Sequence, residues 1–255
     1  MAGVARRSRS GPRPHGRHFL RSRALAAAIV VDAGIGAGDL VLDLGAGAGA
    51  LTRELARRAD RVWAVELDSV LARQLERRFG GTNVRVVHGD ATRLRWPDEP
   101  FKVVANVPFD RTTAILRRLL DDPSVPLVAA ELVVQWEVAA KRAAVWPSTL
   151  VGVYWGAWHR FELVRRLPRC TFAPEPEVDA GVLRITRRAE PLVPERDHAA
   201  YRRFVRSGFA AGRPIVLRLV FKRLGRELGF GPGARASDLD AVQWAALYRA
   251  NLWRR

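Results

Sequence analysis

Leu40-Val41-Leu42-Asp43-Leu44 runs without a break into Gly45-Ala46-Gly47-Ala48-Gly49. An apolar run of this length reads as a buried strand. The glycines after it allow a tight turn and let a ligand approach the backbone closely. Ala50 to Arg58 reads as the helix that follows. Strand, glycine turn and helix in that order open a doubly wound α/β sheet. The spacing is G-x-G-x-G, short of the dinucleotide fingerprint G-x-G-x-x-G, and no G-x-x-x-x-G-K-[ST] occurs in the chain. A nicotinamide cofactor and a P-loop nucleotidase are therefore both disfavoured.

Outward from that turn, Arg61-Val62-Trp63-Ala64-Val65-Glu66 reads as the second strand. Glu66 stands roughly 20 residues after Gly45, where an acidic side chain commonly bonds the ribose hydroxyls of an adenosine ligand. The alternative is that Glu66 caps the helix read over Ser69 to Phe79. Val84 to Val87 makes a third strand, ending in His88-Gly89-Asp90-Ala91, and the Asp90 carboxylate can accept a bond from an adenine amino group. His88 is read as packing. Lys102 to Asn106 is the fourth strand. It delivers Asn106-Val107-Pro108-Phe109 to the same sheet edge as Gly45, Glu66 and Asp90, the edge at which open α/β sheets bind ligands. Pro108 fixes the exit angle of the chain. The Asn106 amide oxygen, the Val107 carbonyl and the Phe109 ring are what a planar base with an exocyclic NH2 needs: two acceptors and a stacking face. The alternative is a strand end, a turn and a core phenylalanine.

The remaining pattern frames this edge. His18-Phe19-Leu20 opens the folded part. Leu25, Ala28, Ile29 and Asp32 mark a helix that Gly34 and Gly36 stop. A helix over Arg111 to Leu120, a strand over Leu127 to Val134 and a helix over Trp136 to Ala144 follow. Tyr154 to Arg169 is read as holding a strand, and Gly181 to Thr186 as a last strand paired with it in an antiparallel hairpin. Between them lies a proline-stiffened loop, Phe172 to Val178. Beyond Arg187-Arg188-Ala189-Glu190-Pro191 the glycine turns cease. Three helices are expected there, over Tyr201 to Ala211, Ile215 to Leu224 and Leu239 to Asn251, with Ser237 as the N-cap of the last. The chain thus divides into a basic flexible tail (1–16), a catalytic domain (17–188) and a basic helical RNA-binding domain (189–255).

Composition narrows the partners. The chain has 255 residues, 48% of them hydrophobic, and a formal charge of +17. Of its 43 basic residues only Lys102, Lys141 and Lys222 are lysine, and arginine's planar fork suits phosphate and stacks on bases. A polyanion, nucleic acid first, is the expected partner, against the alternative of a merely solvated basic surface. Cys170 is the single cysteine, which excludes an intrachain disulfide and a cysteine-based zinc site. No run of 18 apolar residues predicts a membrane span. The expectation is a cytoplasmic protein without a membrane partner, and a monomer, since no heptad pattern is evident.

Taken in order, these motifs resemble the rRNA adenine N6-methyltransferase family, which includes the Erm macrolide-resistance methyltransferases and the small-subunit rRNA dimethyladenosine transferases. The resemblance rests on His18-Phe19-Leu20, Asp43-Leu44-Gly45-Ala46-Gly47-Ala48-Gly49, Val65-Glu66-Leu67-Asp68, Gly89-Asp90-Ala91, Asn106-Val107-Pro108-Phe109 and Phe172-x-Pro174-x-Pro176-x-Val178. A single proline preceded by Val107 favours this family over DNA amino-methyltransferases, which usually carry two. The chain departs from the family at Arg17-His18, where Gln-Asn is common, at Phe109, where Tyr is common, and at Ala180, where Ser is common.

The resemblance implies a Rossmann-like class I S-adenosylmethionine-dependent methyltransferase sheet with a small C-terminal helical domain. It implies S-adenosylmethionine as cofactor, touched by His18 and Leu20, with Gly45 against its methionine part and Gly47 in the same glycine turn. Glu66 would bind the ribose and Asp90 the adenine. Asn106 would sit beside the sulfonium and the target amine, with Val107 as second acceptor. Phe109 and Phe172 would hold a flipped-out adenine between them. No metal, covalent nucleophile or strong base is required. The implied activity is mono- or dimethylation of an adenine in 23S rRNA, conferring macrolide-lincosamide-streptogramin B resistance. The alternatives are a 16S rRNA dimethyltransferase of ribosome maturation and a non-catalytic rRNA-binding assembly factor.

Overall fold

The computed structural model describes residues 18–210 and 234–252, with Glu227 and Gly229. The tail 1–16 and the helix expected over Ile215 to Leu224 lie outside the described residues. In chain order the elements are β1 (Phe19–Leu20), α1 (Arg23–Asp32), β2 (Leu40–Leu44), α2 (Ala50–Leu55), β3 (Arg61–Glu66), α3 (Ser69–Phe79), β4 (Val84–His88) and β5 (Phe101–Asn106). There follow α4 (Thr112–Leu120), β6 (Leu127–Gln135), α5 (Trp136–Ala143), α6 (Leu150–Gly156), β7 (His159–Leu167), β8 (Phe172–Ala173), β9 (Ala180–Arg187), α7 (His198–Ala210) and α8 (Ala241–Leu252).

Seven strands form one sheet in the order β4-β3-β2-β5-β6-β9-β7. The first five run parallel. β9 is antiparallel to both β6 and β7, so the hairpin expected between the last two strands is present. The chain steps one way from β2 to β3 and β4, then returns to the other side of β2 as β5. That reversal opens a crevice between the carboxyl ends of β2 and β5, which are those of Leu44 and Asn106.

Every residue of β2 is buried, because helices cover both of its faces. Val41, Val62, Val104 and Val133 point to one side, under α1 and α2. Leu42, Leu44, Val103, Ala105 and Leu132 point to the other, into a cluster shared with α4, α6, α7 and α8. Alternation along each strand makes the two layers. α3 closes the first face further out, over Ala64, Val84 and Val86. The link from β4 to β5, residues 89–100, is turn and loop instead of a crossover helix.

The helices after residue 189 join the sheet through α6. The Tyr201 ring lies 6.3 Å from Tyr154, 5.8 Å from Trp158 and 5.3 Å from Tyr248, centroid to centroid, and Tyr201 is fully buried. The strand expected within Tyr154 to Arg169 is present as β7 and starts at His159; Tyr154 itself belongs to helix α6, which Thr149 caps by accepting the Gly152 N–H at 3.0 Å. One local expectation is corrected. Ser237 sits in a short 3-10 turn, and the cap of α8 is Asp240, whose Oδ1 accepts the Gln243 N–H at 2.8 Å.

Candidate active site

The glycine turn is pinned before any ligand arrives. Gly45 and Ala46 donate their N–H groups to the Val65 carbonyl at 2.8 and 3.0 Å, tying the end of β2 to the end of β3. Gly45 (φ +81°) and Gly47 (φ +57°) are left-handed, and both are also sterically required. A Cβ on Gly45 would lie 3.1 Å from the Pro108 ring, and one on Gly47 only 2.6 Å from the Phe19 ring.

Glu66 is the hub of the crevice. It is 5% exposed, its Oε2 accepts the Gly47 N–H and its Oε1 accepts the Asp68 N–H, both at 2.8 Å. Its backbone carbonyl accepts the Gly89 N–H at 2.9 Å. It therefore braces three ligand-facing segments, and each carboxylate oxygen keeps a lone pair for a hydroxyl. Glu66 does not cap α3. Asp68 does, accepting the Val70 and Leu71 N–H groups. Asp90 accepts from the Thr92 hydroxyl at 2.7 Å and the Thr92 N–H at 2.8 Å. Those bonds, helped by the nearby Arg111 and Arg93 charges, hold its carboxyl below the usual carboxylate range.

Asn106 ends β5 with its Nδ2 donating to the His18 carbonyl at 2.6 Å. The flipped amide would set two oxygens against each other, so Oδ1 is the atom left to accept from a ligand in the crevice that Asn106 lines. The Val107 N–H is taken by the Val133 carbonyl at 3.1 Å, and the Pro108 carbonyl accepts the Arg111 N–H at 2.9 Å as α4 begins. Phe109 is half-buried, 5.4 Å from the His18 ring and 6.5 Å, edge-on, from Phe172. His18, Gly45, Gly47, Glu66, Asp90, Asn106, Val107 and Phe109 thus share one crevice.

Leu20 and Phe172 do not line that crevice. Phe172 is fully buried in a core with Leu20 and Ile29, so the expected second stacking face is corrected to a brace behind Phe109. β1 and β8 pair antiparallel, Phe19 with Ala173 and Leu20 with Phe172. Arg21 Nε donates to the Phe172 carbonyl at 2.7 Å, and His18 Nδ1 to the Pro174 carbonyl at 2.8 Å. This clasp sets the His18 carbonyl that orients Asn106. Sequence reasoning missed it, since no periodicity marks a two-residue strand.

Asp43 was missed as well. Its carboxyl is fully buried beneath the turn, accepts the Thr52 hydroxyl at 2.6 Å, and burial pushes its pKa up to about 7. An acid inside an otherwise apolar strand was the available signal.

The crevice is acidic in a basic protein. Glu66, Asp90 and Asp110 face one arginine, Arg111, whereas the whole chain carries +17. Such a hollow favours a cationic ligand bearing hydroxyls and an amine, while the exterior favours a polyanion.

Sheet order, the reversed strand β9 and the strand-end crevice make this a Rossmann-like methyltransferase. Residues 10–227 match the family described as ribosomal RNA adenine dimethylase. The rRNA adenine N-6-methyltransferase of Corynebacterium diphtheriae is 38% identical over 216 residues, 80% of this chain and 80% of that one. The mycinamicin-resistance protein MyrB of Micromonospora griseorubida is 39% identical over 223 residues, 84% of this chain and 68% of its own length. The crystal structure of the 23S rRNA methyltransferase ErmE matches with a TM-score of 0.81 at 32% identity, over 91% of this chain and 98% of that chain. The chain belongs to the ribosomal RNA adenine dimethylase family and is an rRNA adenine N6-methyltransferase.

Proposed function

We propose that the protein transfers one or two methyl groups from S-adenosylmethionine to N6 of a specific adenine in 23S rRNA, the modification that confers macrolide-lincosamide-streptogramin B resistance. The observation that carries this reading is the Asn106 amide, whose Nδ2 is committed to His18 so that Oδ1 is presented beside Phe109. S-adenosylmethionine, when bound, supplies an electrophilic methyl group on a sulfonium. The acidic crevice suits its positive charge. Glu66 would hold the ribose hydroxyls, Asp90 the adenine amine, and the left-handed turn at Gly45 and Gly47 admits the methionine part without a Cβ in the way.

An adenine amino nitrogen is a weak nucleophile because its lone pair is delocalised into the ring. Asn106 Oδ1 and the Val107 carbonyl accept its two hydrogens and favour a pyramidal nitrogen. Positioning of this kind supplies up to roughly 7–11 kcal/mol in ideal cases. Phe109 stacks on the base, worth about 1–3 kcal/mol, with His18 and Phe172 holding its ring in place.

The segment 189–255 would grip the RNA. On α7, Arg203 and Arg206 stand one turn apart and both are exposed. The likenesses to MyrB and ErmE favour the large subunit. The test is transfer of labelled methyl from S-adenosylmethionine to protein-free large- and small-subunit rRNA, followed by mapping of the modified base. Label on one large-subunit adenine is expected. Label on small-subunit RNA alone would move the protein to ribosome maturation, and no label with the donor bound would leave an assembly factor.

A further inference from the structure

β3 and β4 have one face covered by a helix and one covered only in part, by loop. Ala64, Val84 and Val86 lie under α3. By alternation Trp63, Arg85 and Val87 point the other way, and the β4–β5 link that would supply a helix there is the loop 89–100. The result is a groove whose walls include Trp63, Arg85, Leu94, Arg95 and Trp96.

Its aromatic rings are fixed and topped by cations. The Arg85 guanidinium lies 4.9 Å from the centre of the Trp63 ring, and that of Arg118 lies 5.4 Å from Trp96. Trp96 stacks on Phe101 at 5.8 Å and donates its Nε1–H to the Arg118 carbonyl at 3.1 Å. The two acids of the groove are already engaged, Asp98 with Arg95 at 3.2 Å and Glu99 with Arg61 at 2.7 Å. The Arg95–Asp98 pair is 86% exposed on both sides, and such a pair yields readily to a phosphate. Among the described residues no carboxylate lies within ion-pair distance of exposed Arg85.

One loop serves both the groove and the catalytic crevice. Gly89 to Thr92 line the crevice and Leu94 to Glu99 line the groove, on one loop, with exposed Arg93 between them. We infer that this groove is a second RNA site that takes an unpaired nucleotide flanking the target adenine. Its base lies against the guanidinium-capped Trp63 and Trp96 rings, and its phosphates meet Arg85, Arg93 and Arg95. Guanidinium–indole pairs suit this role, since every base has a face to stack and every linkage an anion. The inference rests on the rRNA substrate of the preceding reading and extends it to where the strand runs.

The experiment measures the affinity of the full chain for protein-free large- and small-subunit rRNA across a salt series. Wild type is compared with Arg85→Glu/Arg95→Glu and with Arg73→Glu/Arg77→Glu, which makes the same charge change on exposed positions of α3, over the covered face. The groove variant is expected to lose at least about tenfold more affinity than the control. Its log–log salt slope should flatten by about 1.5, for two phosphate contacts at ~0.7–0.9 each. Equal losses in the two variants would overturn the groove site, as would a wild type that binds neither RNA. Because binding is read without methyl transfer, a wild type that binds but does not methylate defeats the functional reading alone.

Discussion

Phe109, Gly47 and Asp43 each carry a separable consequence. Phe109→Ala removes a stacking face without touching the Glu66 or Asp90 side of the crevice. The kcat/KM for rRNA should fall about tenfold to a hundredfold while S-adenosylmethionine affinity, read by calorimetry, stays within about twofold. A parallel loss of donor affinity would instead make Phe109 part of the donor pocket. Gly47→Ala forces a left-handed alanine, about 1–2 kcal/mol, and drives its Cβ into Phe19, 2.6 Å away. Denaturant unfolding should show a loss of about 2 kcal/mol or more, with donor binding weakened alongside. Asp43 gives a pH signature. Its folded pKa of about 7 stands above the ordinary aspartate value of 3.8, so the folded state holds a proton that the unfolded state releases. The stability this contributes is full below about pH 4 and is lost as pH rises towards 7, by at most about 1.4 kcal/mol per unit. His159, pushed down to about 4 by burial and by Arg187, acts in the opposite sense, losing stability as pH falls. Subtracting the Asp43→Asn curve from wild type isolates the Asp43 slope, and a flat difference between pH 4 and 7 would refute it.

At the scale of elements, the site is a strand edge held by a clasp. Phe172 is fully buried and buttresses Phe109 edge-on. Phe172→Ala should cost about 3–5 kcal/mol of stability, measured by denaturant unfolding, and should lower methyl transfer even where the fold survives. The core strands were legible because each is an apolar run between turn residues. The strand ends carrying Gly45, Glu66, Asp90 and Asn106 followed from the βαβ order. The β1–β8 clasp was not legible, since two-residue strands have no period and their partners lie far apart in the chain. Phe172 was read as a stacking face for the same reason: an aromatic in a proline loop looks exposed until its pairing with Leu20 is known. Helix α6 was not legible because Leu-Val-Gly-Val-Tyr-Trp is rich in β-formers, and packing against α7 and α8 overrides that preference.

The whole molecule separates two charges. An acidic crevice sits inside a chain of net charge +17. The Kd for rRNA should therefore rise by at least about tenfold between 50 and 200 mM salt, measured by filter binding, and a salt-insensitive Kd would argue against a polyanionic substrate.

The clasp that orients Asn106 joins residues at opposite ends of the catalytic half. During synthesis the glycine turn, Glu66, Asp90 and Asn106 are all made long before Phe172 and Ala173, which hold His18 in place. A growing chain thus owns its chemical groups early but not their alignment. Their alignment waits until the closing partner, Phe172 and Ala173, has left the exit tunnel. Chains stalled before Thr171 should then transfer no methyl group, whereas chains long enough for Arg187 to have cleared the tunnel should.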